Sequence, residues 1–198
     1  MVRALELEPS TLVELATRSR NVRLLGNTAA LAGLVLAGGT LIAVPLAWLV
    51  TRTDMRGRRL VTWLAVTPLA VPGYVMAYAL LGLGGYQGVM MRLFDVLVPR
   101  PSGLWGAAAA LTLYTFPYVF LNVRSALLGL DTSLEESARC LGLRPAQVMW
   151  RVVLPQLRPA LLAGWLVVAL YVLGDFGAVA LMRFETFSFA IYTQYSSA

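Results

Sequence analysis

The chain has no lysine, no histidine and a single cysteine, Cys140, among its 198 residues. Each absence excludes something. A lone thiol allows no internal disulfide, and a Cys/His metal site has no ligand set. Without lysine the phosphate-cradling G-x-x-x-x-G-K-[ST] loop cannot occur. The chain therefore does not bind and split ATP by that route, and ATP-driven work would need an ATPase on a partner. There is also no G-x-S-x-G nucleophile elbow and no pair of acids on neighbouring apolar segments. With histidine missing as well, the chain is read as not an enzyme. Charge is scarce: 13% of residues are charged, against about 25% in soluble domains.

Apolar residues fill that space. They make up 59% of the chain, against about 45–50% in a soluble domain, and mean hydropathy is +0.72. This composition is that of an integral membrane protein. The net charge is +6, carried entirely by arginine. Basic membrane proteins owe such charge to cytoplasmic loops, so nucleic acid is not implied as a partner and membrane lipid is.

Four segments are apolar over the roughly 30 Å, or about 20 helical residues, that a span needs: 28–50, 60–83, 104–123 and 160–182. Open strands cannot satisfy their backbone in lipid, so the expected fold is all-α with about four transmembrane helices. Segment 28–50 is too long for a signal peptide core, and Trp48-Leu49-Val50-Thr51 is no small-residue cleavage site. Small residues recur four apart at Gly33/Ala37, Gly73/Ala77, Ala160/Gly164 and Gly174/Ala178. Such pairs permit close helix approach, though alanine-rich helices also show them by chance.

Arginine placement gives the orientation. Loop 51–59 holds Arg52, Arg56, Arg58 and Arg59 against Asp54; loop 122–158 holds Arg124, Arg139, Arg144, Arg151 and Arg158. Both are assigned to the cytoplasm. Loop 84–103 holds Arg92 and Arg100. The extramembrane arm, residues 1–23, runs against the rule: it falls outside, yet it carries Arg3, Arg18, Arg20 and Arg23 beside Glu6, Glu8 and Glu14.

The stretch 131–155, between the third and fourth segments, is longer than the about 2–8 residues that turn one helix into the next. Ser133 and Glu136 fit a capping box, as N-cap and N3. Leu134, Ala138 and Leu141 fall on one face of the short helix that follows. Gly142 suits a left-handed C′ position. Pro145 suits the first turn of a second helix through Val148 and Trp150, which Leu154-Pro155 is expected to end. A two-turn helix is unstable alone in water. Its apolar stripe must rest on a partner, on this chain's own helices, or on the bilayer surface. Glu136 either caps its own helix or reaches a partner, and the two roles are compatible.

Glu136-Ser137-Ala138, Gly142 and Val152-x-Leu154-Pro155 resemble the EAA loop of ATP-binding-cassette importer permeases: Glu-Ala-Ala, three residues, Gly, nine residues, Ile-x-Leu-Pro. Ser137 replaces an alanine and Val152 an isoleucine; the spacing is unchanged. The resemblance implies a coupling helix that sits in a groove of the ATPase subunit, with Leu134, Glu136, Ser137, Ala138, Leu141, Gly142, Leu154 and Pro155 as the coupling residues. Further stretches are similar to the ferric-iron permease branch. These are Asn27-Thr28, the run from Pro45 to Asp54, Leu104-Trp105-Gly106, Tyr114-x-Phe116-Pro117-Tyr118 and Gly174-Asp175-Phe176-Gly177. Thiamine, polyamine, sulfate and molybdate branches share much of this layout.

The implied protein is a membrane permease domain, residues 24–198, in the plasma membrane (the bacterial inner membrane). It would pass substrate, ferric iron first, from an extracytoplasmic binding protein. The implied partners are that binding protein, a second permease half and an ATPase subunit that carries the ATP; the chain itself binds no cofactor. Permeases of this kind have five core spans and the chain shows four, so it is expected to be a partial chain. The competing reading is a four-span structural or assembly protein.

Asp175 stands apart. A carboxylate inside a span is costly and by default functional, which makes Asp175 the translocation-pathway candidate. It lies either within the fourth span or at its outer interface. No metal site is expected.

Overall fold

The structure is a computed structural model that describes residues 19–196. Of the arm, residues 1–18 lie outside the described residues; Arg20 and Arg23 belong to the first helix. The described fold is all-helical, as expected.

Helix α1 (Ser19–Arg52) buries one stripe: Leu24, Thr28, Leu31, Val35, Gly39, Ala43, Ala47 and Val50. Steps of three and four put these on a single face. Pro45 is accommodated inside the helix. The stripe packs on α5 (Gly103–Gly129), the centre of the bundle, which buries residues all round, including Leu111, Phe116, Val119 and Phe120. The fourth segment, α8 (Leu154–Gly174), packs on both α5 and α1. Its Trp165 donates the indole N–H to Thr40 Oγ1 of α1 at 2.8 Å.

The second apolar segment departs from expectation. It is not one rod: α2 (Arg58–Val66) runs into a 3₁₀ turn (Thr67–Ala70), and α3 (Gly73–Leu83) restarts at 103° to it. Proline explains the break. Val71 precedes Pro72, and that position is pushed out of the helical region; it sits at φ −103°, ψ 123°. Among the described residues three helices are thus long and apolar enough to cross a membrane, and a fourth crossing requires the bent pair to act as one span.

Two of the four small-residue pairs work as expected. A Cβ on Gly73 would lie 3.3 Å from Tyr114 Cδ1, and one on Gly164 would lie 3.1 Å from Val119 Cα. Gly33 and Gly174 have nothing within 4 Å, and the close contact of α1 falls instead at Gly38, against Thr112. Beyond α3 come α4 (Val89–Phe94) and α5. The loop helices α6 (Thr132–Cys140) and α7 (Pro145–Val148) follow, then α8, α9 (Gly177–Leu181) and α10 (Phe187–Ser196).

Candidate functional site

The 131–155 stretch folds into two short helices around a tight corner, with its capping displaced from expectation. The N-cap of α6 is Asp131, not Ser133: its carboxylate accepts the Ser133 N–H at 2.9 Å. That bond holds the Asp131 carboxyl below its ordinary range. Glu136 is therefore not the N3 partner of a Ser133 box; it is exposed on the outer face.

The corner is as expected. Gly142 has φ +81°. Its N–H donates to the Arg139 carbonyl at 2.9 Å, and the Leu143 N–H reaches the Ala138 carbonyl at 3.2 Å. This double return is a Schellman closure, which needs a left-handed residue at Gly142. Pro145 opens α7, whose N-terminus is closed by the Arg144 N–H donating to Gln147 Oε1 at 2.9 Å.

Leu154-Pro155 does not end the second helix. The chain passes through a π turn (Met149–Val153) directly into α8. A proline ring clashes with the carbonyl four residues back in an α-helix; the wider π turn removes that clash, so the helix continues. Leu154 and Pro155 are half-buried at the root of the span. The loop is therefore joined rigidly to α8.

The expected single stripe splits in two. Ala138 turns inward and is buried, whereas Leu134 is 51% and Leu141 84% exposed. Glu136, Ser137 and Cys140 share the outer side with them, around a hollow of about 520 Å³ lined by Ser133, Glu136, Ser137, Cys140 and Leu141. Trp150, beyond the corner, is also exposed. Apolar side chains without cover beside one carboxylate make a surface suited to contact with another protein.

The inward side holds a residue that the sequence reading passed over. Glu135 is buried, with Oε1 2.9 Å from Arg52 Nη2 at the end of α1. The two atoms are at ion-pair distance, but the donor geometry is not that of a directed hydrogen bond, and Arg52 Nε makes none either. Only the adjacency of two acids hinted at this. Arg52 was counted solely toward loop charge.

Away from the loop, Asp175 sits in the break between α8 and α9, not within a helix. It accepts the Ala178 N–H on Oδ1 at 2.9 Å, and its backbone carbonyl accepts the Ser188 hydroxyl at 2.6 Å. The break meets the break of the bent pair: a Cβ on Gly73 would be 3.4 Å from Asp175 Oδ2 and 3.3 Å from the Tyr114 ring. Tyr114 and Tyr171 meet edge to face at 5.8 Å, and Tyr118 stacks on Tyr171 at 4.9 Å. Periodicity along the chain carries no sign that these tyrosines converge. Among the described residues no group of three His, Cys, Asp or Glu is placed to hold a metal.

The order of helices, the two-helix loop rooted in α8 and the spacing of its motif all agree with one family. The description "binding-protein-dependent transport system inner membrane component" matches residues 30–195. The chain belongs to this family. It is accordingly a multi-pass membrane protein. It is 33% identical over 195 residues to an Fe(3+)-transport system permease protein, FbpB 2, of Haemophilus influenzae, covering 98% of this chain and 36% of the relative. The sulfate transport system permease protein CysT of Salmonella typhimurium is 36% identical, over 68% of this chain and 49% of its own length. The molybdenum transport system permease protein ModB of Escherichia coli is 34% identical, over 67% and 58%. The chain thus spans between about a third and three fifths of these curated relatives. Among solved structures, the MetNI methionine ABC transporter in an inward-facing conformation superposes with a TM-score of 0.62 at 24% identity. That match covers 88% of this chain and 79% of that one, and it supports the fold.

Proposed function

We propose that the chain forms the membrane-spanning part of one permease half in an ATP-binding-cassette importer. Its loop 131–155 docks on a separate ATPase subunit from the cytoplasm, and its opposite end receives substrate from an extracytoplasmic binding protein. The observation that carries this reading is the outer face of α6. Leu134, Glu136, Ser137, Cys140 and Leu141 are uncovered on and just beyond a helix too short to stand alone, and the Gly142 corner joins that helix to α7, which runs without interruption into a span. A surface of this kind transmits force only if something binds it. Leu134, Glu136, Ser137 and Leu141 then make contact, Ala138 and Gly142 set the helix in place, and Leu154 and Pro155 carry the motion into α8.

The pathway candidate is Asp175 with Tyr114, Tyr118 and Tyr171. Two interrupted helices meet there, the arrangement in which membrane carriers expose polar groups at depth. The groups that this region offers, one carboxylate and the phenols of three tyrosines in ring contact, are oxygen donors of the kind that suits a hard cation, which favours ferric iron as substrate. A different feature favours an oxyanion such as sulfate or molybdate. Arg100 and Arg183 line a cavity of about 560 Å³ with Tyr78 and Ser102, and neither arginine makes an ion pair among the described residues.

The deciding experiment reconstitutes the complete importer in proteoliposomes and measures ATP-dependent uptake of labelled ferric iron, sulfate and molybdate. Uptake of iron alone supports the cation reading. Uptake of an oxyanion alone transfers the proposal to the arginine cavity. Failure of the permease to co-purify with any ATPase favours the four-span structural protein instead.

A further inference from the structure

The importer reading says where an ATPase would push; it does not say how the push reaches a span other than α5 and α8, between which the loop runs. The buried pair Arg52–Glu135 supplies that path. Among the described residues, no Cα of α6 lies within 8 Å of a Cα of α1. The two backbones do not pack, and the Arg52 and Glu135 side chains reach across the gap to 2.9 Å. The side chains are 16% and 9% exposed, so the charges are largely withdrawn from water.

We infer that Arg52 and Glu135 form a latch that ties the docking helix to the end of the first span, and that this latch is a second route by which ATPase motion enters the membrane bundle. The inference rests on the importer reading above. Three observations support it. First, apart from its chain links to α5 and to the Gly142 corner, α6 has helical backbone neighbours only in α7 and the π turn, so its hold on α1 is made by side chains. Second, a buried ion pair is a poor device for stability alone, because desolvation offsets much of the attraction; apolar groups of similar size would hold the fold as well. Its particular property is that it favours one relative position of the two helices without packing them together. Third, the pair is under-bonded: Arg52 Nε, Arg52 Nη2 and Glu135 Oε1 make no directed hydrogen bond. A long-range contact with spare donors can be drawn apart and remade as the loop moves, where a packed apolar seam cannot.

Glu135 and Glu136 are adjacent but do opposite things. On a helix, neighbouring residues point about 100° apart. Glu136 faces the docking side, and Glu135 faces the bundle. The two acids therefore connect the ATPase-facing surface to α1 across about 100° of one helix. Arg52 and Glu135 are positioning residues in this scheme, since neither would touch substrate or nucleotide.

The test uses the complete importer in proteoliposomes, with the full permease chain, its ATPase and its binding protein. Four variants are compared with wild type: Arg52→Gln, Glu135→Gln, the apolar pair Arg52→Met with Glu135→Leu, and the exchange Arg52→Glu with Glu135→Arg. Uptake per ATP hydrolysed, co-purification of the ATPase and thermal stability are measured on each. The single variants are expected to lower uptake per ATP by about tenfold, within the usual range of coupling between sites. The apolar pair should recover thermal stability without recovering uptake per ATP, which separates transmission from packing. The exchange should recover part of the uptake. Recovery of full uptake by the apolar pair would overturn the latch, as would single variants that hold uptake within about twofold of wild type, since typical coupling would then be missing. If the wild-type permease neither retains an ATPase nor transports, the importer reading falls and the latch falls with it.

Discussion

Gly164 on α8 faces Val119 on α5 so closely that a Cβ would lie 3.1 Å from the Val119 Cα. A backbone atom cannot swing aside as a side-chain end can. The contact lies midway along two spans that together bury Val119, Phe120, Leu161 and Val168. Gly164→Val is therefore expected to separate the helices locally, at a cost of about 1–3 kcal/mol for overpacking. Thermal unfolding in detergent would show it as a lowered midpoint. Gly33→Val, with nothing within 4 Å of the added atom, should leave that midpoint nearly unchanged and serves as the control.

How much of this was legible in the sequence depends on the range of the interaction that decides it. The lengths of α1, α5 and α8 follow from hydropathy, which is local. Gly142 and Pro145 were readable because turn chemistry is local too. The 103° break was signalled by Pro68 and Pro72 but not resolved, since prolines in spans are often absorbed, as Pro45 and Pro117 are here. At Pro155 the reverse occurred: a local rule ended the helix, and a π turn overrode it. The inward turn of Glu135 and the gathering of Tyr114, Tyr118 and Tyr171 depend on packing between segments far apart in the chain, which periodicity does not report.

The N-cap at Asp131 gives a pH dependence. The Ser133 N–H, bonded to its carboxylate at 2.9 Å, lowers the pKa of that carboxyl in the fold. A depressed folded pKa adds stability to α6 above the unfolded carboxylate pKa, and the contribution is lost as pH falls through the folded value. Hydrogen exchange at the Ser133 amide should quicken relative to the α8 amides as pH drops below the ordinary carboxylate range, after correction for intrinsic exchange. Asp131→Ala should show the faster rate already at neutral pH. An exchange ratio independent of pH in the wild type would rule out this cap.

Cys140 is the chain's one thiol and is exposed on α6, which makes it a native probe of sidedness. If loop 131–155 faces the cytoplasm, an impermeant maleimide should label Cys140 in inside-out vesicles from cells that make the permease without its ATPase, and miss it in intact cells. A second thiol at Gln87→Cys, in the exposed loop beyond α3, should behave in the opposite way. Labelling of both positions from the same side would mean that the bent pair α2–α3 enters and leaves on one face.

Asp175→Asn keeps the size of the side chain and an oxygen able to accept the Ala178 N–H, and it removes the charge. The α9 cap should survive, with no change in thermal midpoint. If the carboxylate serves a cationic substrate between the two helix breaks, uptake by the complete importer should fall while ATPase retention stays at the wild-type level. Tyr171→Phe, which keeps the ring contacts with Tyr114 and Tyr118 and removes one oxygen, should lower uptake in the same direction. Unaltered uptake in both variants would leave Asp175 as a helix cap alone.

Gly142→Asp tests the docking surface at its corner. With φ at +81° and nothing within 4 Å of an added Cβ, the substitution meets no clash, only backbone strain. That strain is about 1 kcal/mol. Relief requires the corner to leave the left-handed region, which breaks the Gly142 and Leu143 return bonds and turns α6 relative to α8. The outer face of Leu134, Glu136 and Leu141 would then miss its partner. ATPase retention and uptake should both drop in the complete importer, while membrane insertion persists because no span is touched. Gly142→Asn, since asparagine is the residue found after glycine at the left-handed position of this closure, should retain more of both than Gly142→Asp. Equal, wild-type levels of ATPase retention and uptake in the two variants would remove loop 131–155 from the coupling role, since a docking helix cannot be re-aimed without consequence.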